Sequence, residues 1–203
     1  MDEFIKTWVK IKRDSNVKPL VKRDRCKVLW QELKKVISLD GDVFECGVYK
    51  GGTAMLLSTL VSKHKTLHLF DTFEGVPEPN PKKDVYKGGE WSEASLGEVK
   101  EAVNFMNHAC KVKFYKGFIP DTFKGLDDVK ISFAHIDVDI YQSYLDCLEF
   151  IYPKMVDGGI IIFDDYGFED CIGAKLAVDE FFEDKTDKVI KLETKQAMVK
   201  IKK

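Results

Sequence analysis

Four aspartates in two short clusters are the residues of this chain whose types and spacing suit chemistry. Asp137 and Asp139 alternate in the segment HIDVD, and Asp164 and Asp165 are adjacent in IIIFDDYG. Each cluster ends a hydrophobic run typical of a buried strand, and open α/β sheets bind ligands at such strand ends. Because like charges at a buried edge repel one another and lose hydration, a positive group must stabilise them. A divalent cation is the simplest such group, and oxygen ligands favour Mg²⁺, Mn²⁺ or Ca²⁺ over Zn²⁺.

The two clusters are not equally specific. Asp137 and Asp139 are predicted to share one face of an extended segment with His135. An isolated DxD is a weak signal, and Asp139 has a second interpretation as the cap of a helix that begins near Tyr141. The acid pair after IIIF is stronger, because adjacent acids directly after a buried strand are not needed for solubility. We expect the two clusters to meet at one edge of a sheet.

A glycine-rich turn between the first predicted strand and its helix is the second chemical signal. It reads ECGVYKGGT from Glu45 to Thr53. Glycines let the backbone approach a ligand closely, and a helix N-terminus favours a negative group. Asp71 ends the next predicted strand, where a carboxylate can accept hydrogen bonds from ribose hydroxyls. A plain strand-to-helix turn is the alternative, but together with Asp71 the pattern favours a nucleoside cofactor. The spacing E-x-G-x-x-x-G differs from the G-x-G-x-x-G that suits a pyrophosphate.

The elements that must position these residues follow from hydrophobic periodicity. Predicted strands alternate with predicted helices, which indicates a doubly wound, mostly parallel α/β sheet with helices on both faces. Two consecutive strands at the end predict a terminal antiparallel hairpin. The seven predicted strands cover residues 42–46, 66–70, 112–115, 131–136, 160–163, 188–192 and 197–201.

Two segments stand outside this alternation. Residues 1–38 are predicted to form an N-terminal helical segment that packs on the domain or covers a site. Residues 72–95 hold prolines and glycines without a consistent period, and so long a loop in a compact domain is usually a functional lid or disordered. We predict a lid, whose basic and aromatic side chains either bind a sugar and a phosphate or are ordinary solvated surface. These side chains are Lys82, Lys83, Tyr86, Lys87 and Trp91.

Length, charge and cysteine usage bound the class of protein. A chain of 203 residues suits one α/β domain over residues 1–203. With 32 basic and 34 acidic side chains the net charge is −2, so no global field recruits nucleic acid or a membrane. The first residues contain no apolar run typical of a signal peptide or membrane span. Five scattered cysteines without CxxC spacing favour reduced thiols, and we expect a cytoplasmic protein.

The turn and the terminal hairpin together resemble class I S-adenosylmethionine-dependent methyltransferases, whose Rossmann-like sheet also ends in an antiparallel hairpin. The resemblance implies that S-adenosylmethionine is the cofactor. It implies that Gly47 and its neighbours line the amino-acid part, and that Asp71 holds the ribose. Phe73 or Phe118 would flank the adenine, with core packing as the alternative. The cofactor-binding residues implied in this way are Glu45, Gly47, Gly51, Thr53, Asp71, Phe73 and Phe118.

A narrower resemblance covers about residues 35–185. The segments FECGVYKGGTA, LFDTFEGVP, GFIPDTF, HIDVDIYQSYLDCLEFIYPKMVDGGIIIFDDYG and GAKLAVDEFF resemble the TylF-type sugar O-methyltransferases, which act on macrolide and aminocoumarin deoxysugars. The resemblance implies that Asp137, Asp164 and Asp165 bind a divalent metal, Mg²⁺ or Mn²⁺. It also implies that Asp139 is a candidate general base. Asp137 and Asp139 are thus the candidate catalytic residues, and which is base and which is ligand stays open.

The sequence therefore predicts a metal-dependent O-methyltransferase that acts on a sugar hydroxyl of a glycan, glycoside or nucleotide-sugar. A catechol-type O-methyltransferase is the nearest alternative. A Mg²⁺-dependent phosphatase or glycosyltransferase would use the DxD but leave the glycine-rich turn and Asp71 unexplained. A non-catalytic cofactor-binding module of a glycan-modifying protein is a further alternative. The expected partner is a small-molecule or glycan acceptor, without nucleic acid or membrane. Homo-oligomerisation and a place in a longer polypeptide stay open.

Overall fold

The computed structural model describes residues 2–203 as six α-helices, seven β-strands and short 3-10 turns. The helices are α1 (Glu3–Asp14), α2 (Arg23–Val36), α3 (Gly52–Ser58), α4 (Leu96–Phe105), α5 (Tyr141–Ile151) and α6 (Ile172–Phe182). The strands are β1 (Asp42–Cys46), β2 (Thr66–Asp71), β3 (Lys111–Lys116), β4 (Ile131–Ile136), β5 (Met155–Phe163), β6 (Ile190–Lys191) and β7 (Ala197–Lys200). No helix within residues 2–203 has the length and apolar character needed to span a membrane.

The seven strands form one sheet in the order β3-β2-β1-β4-β5-β7-β6. The first five strands in this order are parallel, whereas β7 runs antiparallel to both β5 and β6. This confirms the predicted Rossmann-like, mostly parallel sheet with a terminal antiparallel hairpin. The direction of chain progression reverses between β1 and β4. Ligands of open α/β sheets bind beyond the carboxyl ends of the strands at such a reversal.

Alternating side chains of the sheet bury two apolar layers. In β5, Ile160 and Ile162 pack on the face covered by α2, α3 and α4. Ile161 and Phe163 pack on the face covered by α5 and α6. This alternation has a consequence for the acids that follow, because residues 164 and 165 leave β5 toward opposite faces.

The strand β5 is longer than predicted. It begins at Met155 and runs through Gly158, which was expected to precede the strand. The pairing with β4 changes register between Ile131↔Met155 and Phe133↔Ile160, and Gly158 has a φ of 76°. Gly158 thus permits a bulge-like irregularity within the strand, since a glycine tolerates the positive φ that a bulge requires.

The predicted N-terminal helical segment consists of two helices and a connection between them. On α2 the apolar residues recur at helical spacing and are buried, as predicted; they are Cys26, Leu29, Trp30, Leu33 and Val36. The connection crosses the glycine-rich turn, where a Cβ added at Gly52 would lie 2.4 Å from the Cα of Pro19. A glycine at this position therefore permits the N-terminal segment to cover the turn.

The predicted lid, residues 72–95, contains neither helix nor strand in the structure. Its two ends are joined by backbone hydrogen bonds from Val76 N to Glu90 O and from Gly89 N to Val76 O, both 2.8 Å. The segment between them lies against α5 and α6, because Lys83 contacts Glu180 at 3.2 Å and Asp84 accepts a hydrogen bond from Tyr141 N at 2.8 Å.

Candidate functional site

A cavity of about 270 Å³ lies beyond the carboxyl ends of the central strands. Its wall is built from the N-terminal connection, the glycine-rich turn, the lid and the segments that follow β4 and β5. Among the residues predicted for the site, those that line the cavity are Gly47, Thr53, Asp71, Asp137, Asp139, Asp164 and Asp165. The structure therefore brings both chemical signals of the sequence to one place.

Gly47 lets the turn pass directly over the end of β4. It has a φ of 84°, and a Cβ at this position would lie 1.7 Å from the backbone oxygen of Asp137. No other residue type avoids that contact, because every other side chain begins with a Cβ. The close approach places the glycine-rich turn and the first aspartate of the DxD side by side.

Asp71 organises the same turn. One of its carboxylate oxygens accepts hydrogen bonds from the backbone N–H groups of Val48 (2.8 Å) and Tyr49 (2.7 Å). The other accepts from the N–H of Phe73 at 2.7 Å. The carboxylate also lines the cavity. The oxygen bonded to Phe73 keeps one lone pair for a ligand, so a contact with a ribose hydroxyl stays compatible with these bonds.

Four predicted cofactor residues lie outside the cavity lining: Glu45, Gly51, Phe73 and Phe118. Glu45 is fully buried, because it lies two residues after Val43 and shares the face of β1 that α2 covers. Gly51, with a φ of 84°, is the N-cap of α3. Phe73 is buried in the apolar layer under α2 to α4, which is the alternative stated for it. Phe118 is 45% exposed and lies in neither the core nor the cavity.

The two aspartate clusters meet, as the sequence predicts, but they pair across the strands in two groups. Potential ligand atoms of Asp137, Asp164 and His135 lie within 4.8 Å of one another, and so do those of Asp139, Asp165 and Cys171. Asp139 does not continue the expected alternation from Asp137, because its φ of 62° turns the backbone away from an extended course.

Asp164 is the most completely bonded of the four acids and is fully buried. Its Oδ1 accepts a hydrogen bond from Gln196 Nε2 at 2.6 Å and lies 3.4 Å from His135 Nε2. Its Oδ2 accepts from Nη1 of Arg25, a residue of α2. Neither Arg25 nor Gln196 was predicted for the site, because each lies far from the DxD motif and the acid pair along the chain.

His135 bridges two carboxylates beneath the cavity. Its Nδ1 lies 3.1 Å from Glu45 Oε1, while its Nε2 faces Asp164. Burial alone lowers the pKa of His135, but the hydrogen bonds and charges of Asp164 and Glu45 outweigh it and raise the pKa to about 9. His135 therefore carries a proton at neutral pH and compensates part of the negative charge.

Three acids of the set hold their charge less readily than ordinary carboxylates. Burial and the neighbouring Asp164 raise the pKa of Asp165 to about 6, although its Oδ2 accepts hydrogen bonds from Tyr144 (2.9 Å) and from Asp139 N (3.1 Å). Burial and the surrounding carboxylates raise the pKa of Asp137 and of Asp139 well above the usual range. The four carboxyl groups thus lie too close together, with too few basic neighbours, for all of them to ionise readily.

Asp139 does not cap α5, which was its alternative interpretation. The N-cap position of α5 is Ile140, and Asp84 of the lid accepts the hydrogen bond from Tyr141 N instead. The carboxylate of Asp139 accepts a hydrogen bond from the hydroxyl of Tyr86 at 2.8 Å. A residue of the lid therefore contacts the candidate base directly.

The other lid residues singled out in the sequence are divided between cavity and surface. Trp91 lines the cavity together with Tyr86, and its ring packs edge-on against that of Tyr49 with centroids 5.7 Å apart. Lys83 contacts Glu180 and lies over the ring of Tyr141. Two lysines, Lys82 and Lys87, are exposed and do not line the cavity.

Comparison with known proteins gives one matching family. The sequence model of the family described as macrocin O-methyltransferase (TylF) matches residues 14–196. The chain is 30% identical over 158 residues to demethyldecarbamoylnovobiocin O-methyltransferase of Streptomyces niveus, a match that covers 71% of this chain and 59% of the relative. It is 28% identical over 147 residues to mycinamicin III 3''-O-methyltransferase of Micromonospora griseorubida, covering 64% of this chain and 57% of the relative. The matches span less than two thirds of the length of these relatives.

Solved structures share the fold. The structure of the O-methyltransferase NovP superposes with a TM-score of 0.78 at 27% identity and covers 93% of this chain and 84% of that one. The structure of CalS11, described as a calicheamicin methyltransferase, superposes with a TM-score of 0.74 at 17% identity and covers 98% and 93% of the two chains.

Proposed function

We propose, from the premise that this chain belongs to the macrocin O-methyltransferase (TylF) family, that it transfers a methyl group from S-adenosylmethionine to a sugar hydroxyl with the help of a divalent cation. The family assignment agrees with the resemblance of the sequence motifs. The observation that carries the proposal is the convergence of the glycine-rich turn, Asp71 and the four aspartates on one cavity.

The side of the cavity formed by the turn suits the cofactor. Gly47 and Thr53 line it, and the carboxylate of Asp71, at the end of β2, would accept a hydrogen bond from a ribose hydroxyl. The ring pair of Tyr49 and Trp91 provides an aromatic surface at the same wall. Glu45 would act indirectly, because it is buried and bonded to His135 rather than exposed to the ligand.

The acid set suits a hard divalent cation. Its donors are carboxylate oxygens, and burial together with mutual repulsion raises the pKa of Asp137 and Asp139. Mg²⁺ and Mn²⁺ prefer such oxygen ligands. Asp137 and Asp164, whose ligand atoms lie within 4.8 Å of each other, would hold the ion, and Asp165, which groups with Asp139 in the structure, is the third ligand that the family resemblance implies. When bound, it would supply a Lewis acid that lowers the pKa of a hydroxyl in contact with it.

Transfer of a methyl group requires the acceptor hydroxyl to lose its proton while its oxygen faces the methyl group. Asp139 suits the role of base, because it lines the cavity, and its raised pKa makes it a better proton acceptor than an ordinary carboxylate. The hydroxyl of Tyr86 would fix the orientation of that carboxylate. Asp137 is the alternative base, as the sequence also leaves open.

A sugar is the acceptor class that the family favours. The names of the relatives at 30% and 28% identity place their methyl groups on novobiocin and mycinamicin compounds. For this chain, the aromatic residues Tyr86 and Trp91 of the lid would pack against the apolar face of a sugar. The exposed lysines of the lid would face a nucleotide-sugar only at its rim.

The proposal is tested by incubating the protein with labelled S-adenosylmethionine, Mn²⁺ and a panel of deoxysugar glycosides and nucleotide-sugars. We expect transfer of label to a sugar and its loss in Asp137→Asn, while calorimetry shows cofactor affinity close to the parent. The matched control is Asp157→Asn, on the opposite end of β5. Cofactor binding without transfer to any acceptor would favour the non-catalytic module, and full activity in excess chelator would exclude a role for metal.

A further inference from the structure

Within residues 2–203, Arg25 is the only arginine that contacts one of the four aspartates. Its Nη1 donates to Oδ2 of Asp164, and its side chain is only 13% exposed. The guanidinium lies over the ring of Phe168, with the Cζ atom 4.8 Å from the ring centroid. Its Nε is buried but has no hydrogen-bond partner. Charge and stacking therefore hold this guanidinium, rather than the complete set of hydrogen bonds that a permanent structural arginine would make.

The contact with Arg25 falls on the oxygen of Asp164 that neither Gln196 nor His135 engages. Oδ1 accepts a hydrogen bond from Gln196 and faces His135, whereas Oδ2 accepts a hydrogen bond from Arg25. A carboxylate oxygen of Asp137, the neighbouring acid, lies within 4.8 Å of an oxygen of Asp164, so one cation could contact both residues. A metal ion bound between the two carboxylates and a guanidinium bound to Oδ2 are both positive, and at such a separation they repel.

We propose that Arg25 is, beside His135, a resident counter-ion of the metal-free acid set and that it must leave Asp164 when a divalent cation binds. The part of this proposal that concerns the cation rests on the proposed function. Arg25 and the metal are then competitors for one carboxylate, and the affinity for metal is set partly by how firmly α2 holds the arginine. Phe168, whose ring stacks against the guanidinium, helps to keep Arg25 in this position.

The exchange links metal binding to the N-terminal wall of the cavity. Arg25 belongs to the first turn of α2, and the connection before that helix contributes Leu20 and Val21 to the cavity lining. When the arginine leaves Asp164, the first turn of α2 loses its contact with the far side of the site. Metal loading would therefore loosen this wall, whereas the metal-free protein keeps it fixed.

Direct measurement of Mn²⁺ binding tests the competition. In Arg25→Gln we expect Mn²⁺ to bind about tenfold more tightly or better, because the ion no longer displaces a charge-assisted hydrogen bond. Arg25→Lys keeps the charge and should bind close to the parent value. Arg23→Gln changes an exposed arginine on the same helix and should leave Mn²⁺ affinity unaltered. Phe168→Ala weakens the seat of the guanidinium without changing the charge, and we expect a smaller gain in affinity.

Thermal unfolding in chelator supplies a second measurement that does not depend on turnover. Metal-free Arg25→Gln should unfold at a lower temperature than the parent, because Asp164 loses its counter-ion, and Mn²⁺ should restore its midpoint. Equal or weaker Mn²⁺ binding by Arg25→Gln and Phe168→Ala, with normal binding by the parent, would overturn the competition but leave the proposed function standing. Absence of Mn²⁺ binding in the parent would overturn both the exchange and the metal role in the proposed reaction.

Discussion

Asp84 fixes the lid to the body of the protein through backbone hydrogen bonds. Its Oδ1 accepts from Tyr141 N and its Oδ2 from Asn80 N, both at 2.8 Å. The first bond caps α5, and the second closes the turn of the lid itself. A Cβ at Gly173 of α6 would lie 1.8 Å from Oδ1, so the carboxylate also packs closely against a second helix. The substitution Asp84→Ala removes both acceptors and leaves the backbone of the lid unchanged.

The structure sets the size of the expected effect. Loss of a helix cap costs about 1 kcal/mol, and loss of a further hydrogen bond about 0.5–1.5 kcal/mol. We therefore expect Asp84→Ala to lower the free energy of unfolding by about 2 kcal/mol. For a chain of this size the midpoint of thermal unfolding should fall by roughly 4–8 °C. Asp84→Asn keeps a side-chain oxygen that can accept from Tyr141 N, so its loss should be about half as large.

Two assays separate the cap from the lid. Circular dichroism gives the unfolding midpoints, and trypsin reports lid opening, since Lys82 and Lys87 are exposed within it. We expect faster cleavage at these lysines in Asp84→Ala than in Asp84→Asn. Turnover should fall more than stability predicts, because the released lid no longer holds the hydroxyl of Tyr86 against Asp139.

The reasoning fails if Asp84→Ala unfolds at the same temperature as the parent, since the cap would then contribute nothing. It fails equally if cleavage of the lid is unaltered while the midpoint falls, because Asp84 would then stabilise α5 without holding the lid. A matched control is Glu78→Ala, an exposed acid of the same segment for which we expect neither effect.

Three further predictions follow from single contacts. Gly47→Ala should abolish cofactor binding in calorimetry and lower the stability of the fold, because its Cβ would meet the backbone of Asp137 at 1.7 Å. The left-handed backbone conformation of an alanine would lower stability by about 1–2 kcal/mol more. Unchanged binding would contradict the close approach. Tyr86→Phe should reduce kcat about tenfold with unchanged cofactor affinity, because Asp139 loses its hydrogen bond; an unaltered kcat would show that the hydroxyl does not orient the base. Burial raises the pKa of Asp42, but hydrogen bonds from an imidazole and a backbone N–H outweigh burial and lower the pKa, so the carboxylate stabilises the fold at neutral pH and this stabilisation is lost as pH falls below about 4. Urea titrations of Asp42→Asn should show reduced stability at pH 7 and a flatter decline of stability in acid than the parent. A decline parallel to that of the parent would refute this.

The fold was predictable because its signals are local. The apolar residues of α2 recur at helical spacing, and the central strands are mostly apolar segments followed by acids or glycines. Parallel strands must then place their carboxyl ends at one edge, so the meeting of Asp137 with Asp164 followed without any knowledge of tertiary contacts. The alternation within β5 likewise accounts for Asp164 and Asp165 leaving toward opposite faces.

The partners of those acids were not predictable from local pattern. Arg25 lies 139 residues before Asp164, and only the packing of α2 on the sheet brings them together. Asp84 caps a helix 57 residues away, whereas the sequence offered the nearby Asp139 as an alternative cap. For the burial of Glu45 the sequence did contain a signal, because a residue two positions after Val43 in a strand shares its face, which α2 covers. The motif resemblance took precedence over that signal.

The arrangement of these partners explains how two separate coverings can respond to one site. The N-terminal wall ends on Asp164 through Arg25, and the lid ends on Asp139 through Tyr86. These two acids belong to different groups of the set, because Asp164 lies with His135 and Asp137, and Asp139 lies with Asp165 and Cys171. A cation bound at Asp164 would act on the wall through charge, whereas proton uptake at Asp139 would act on the lid through a hydrogen bond. Because the two acids differ in partner and in group, we expect that the N-terminal wall and the lid are each released without the other.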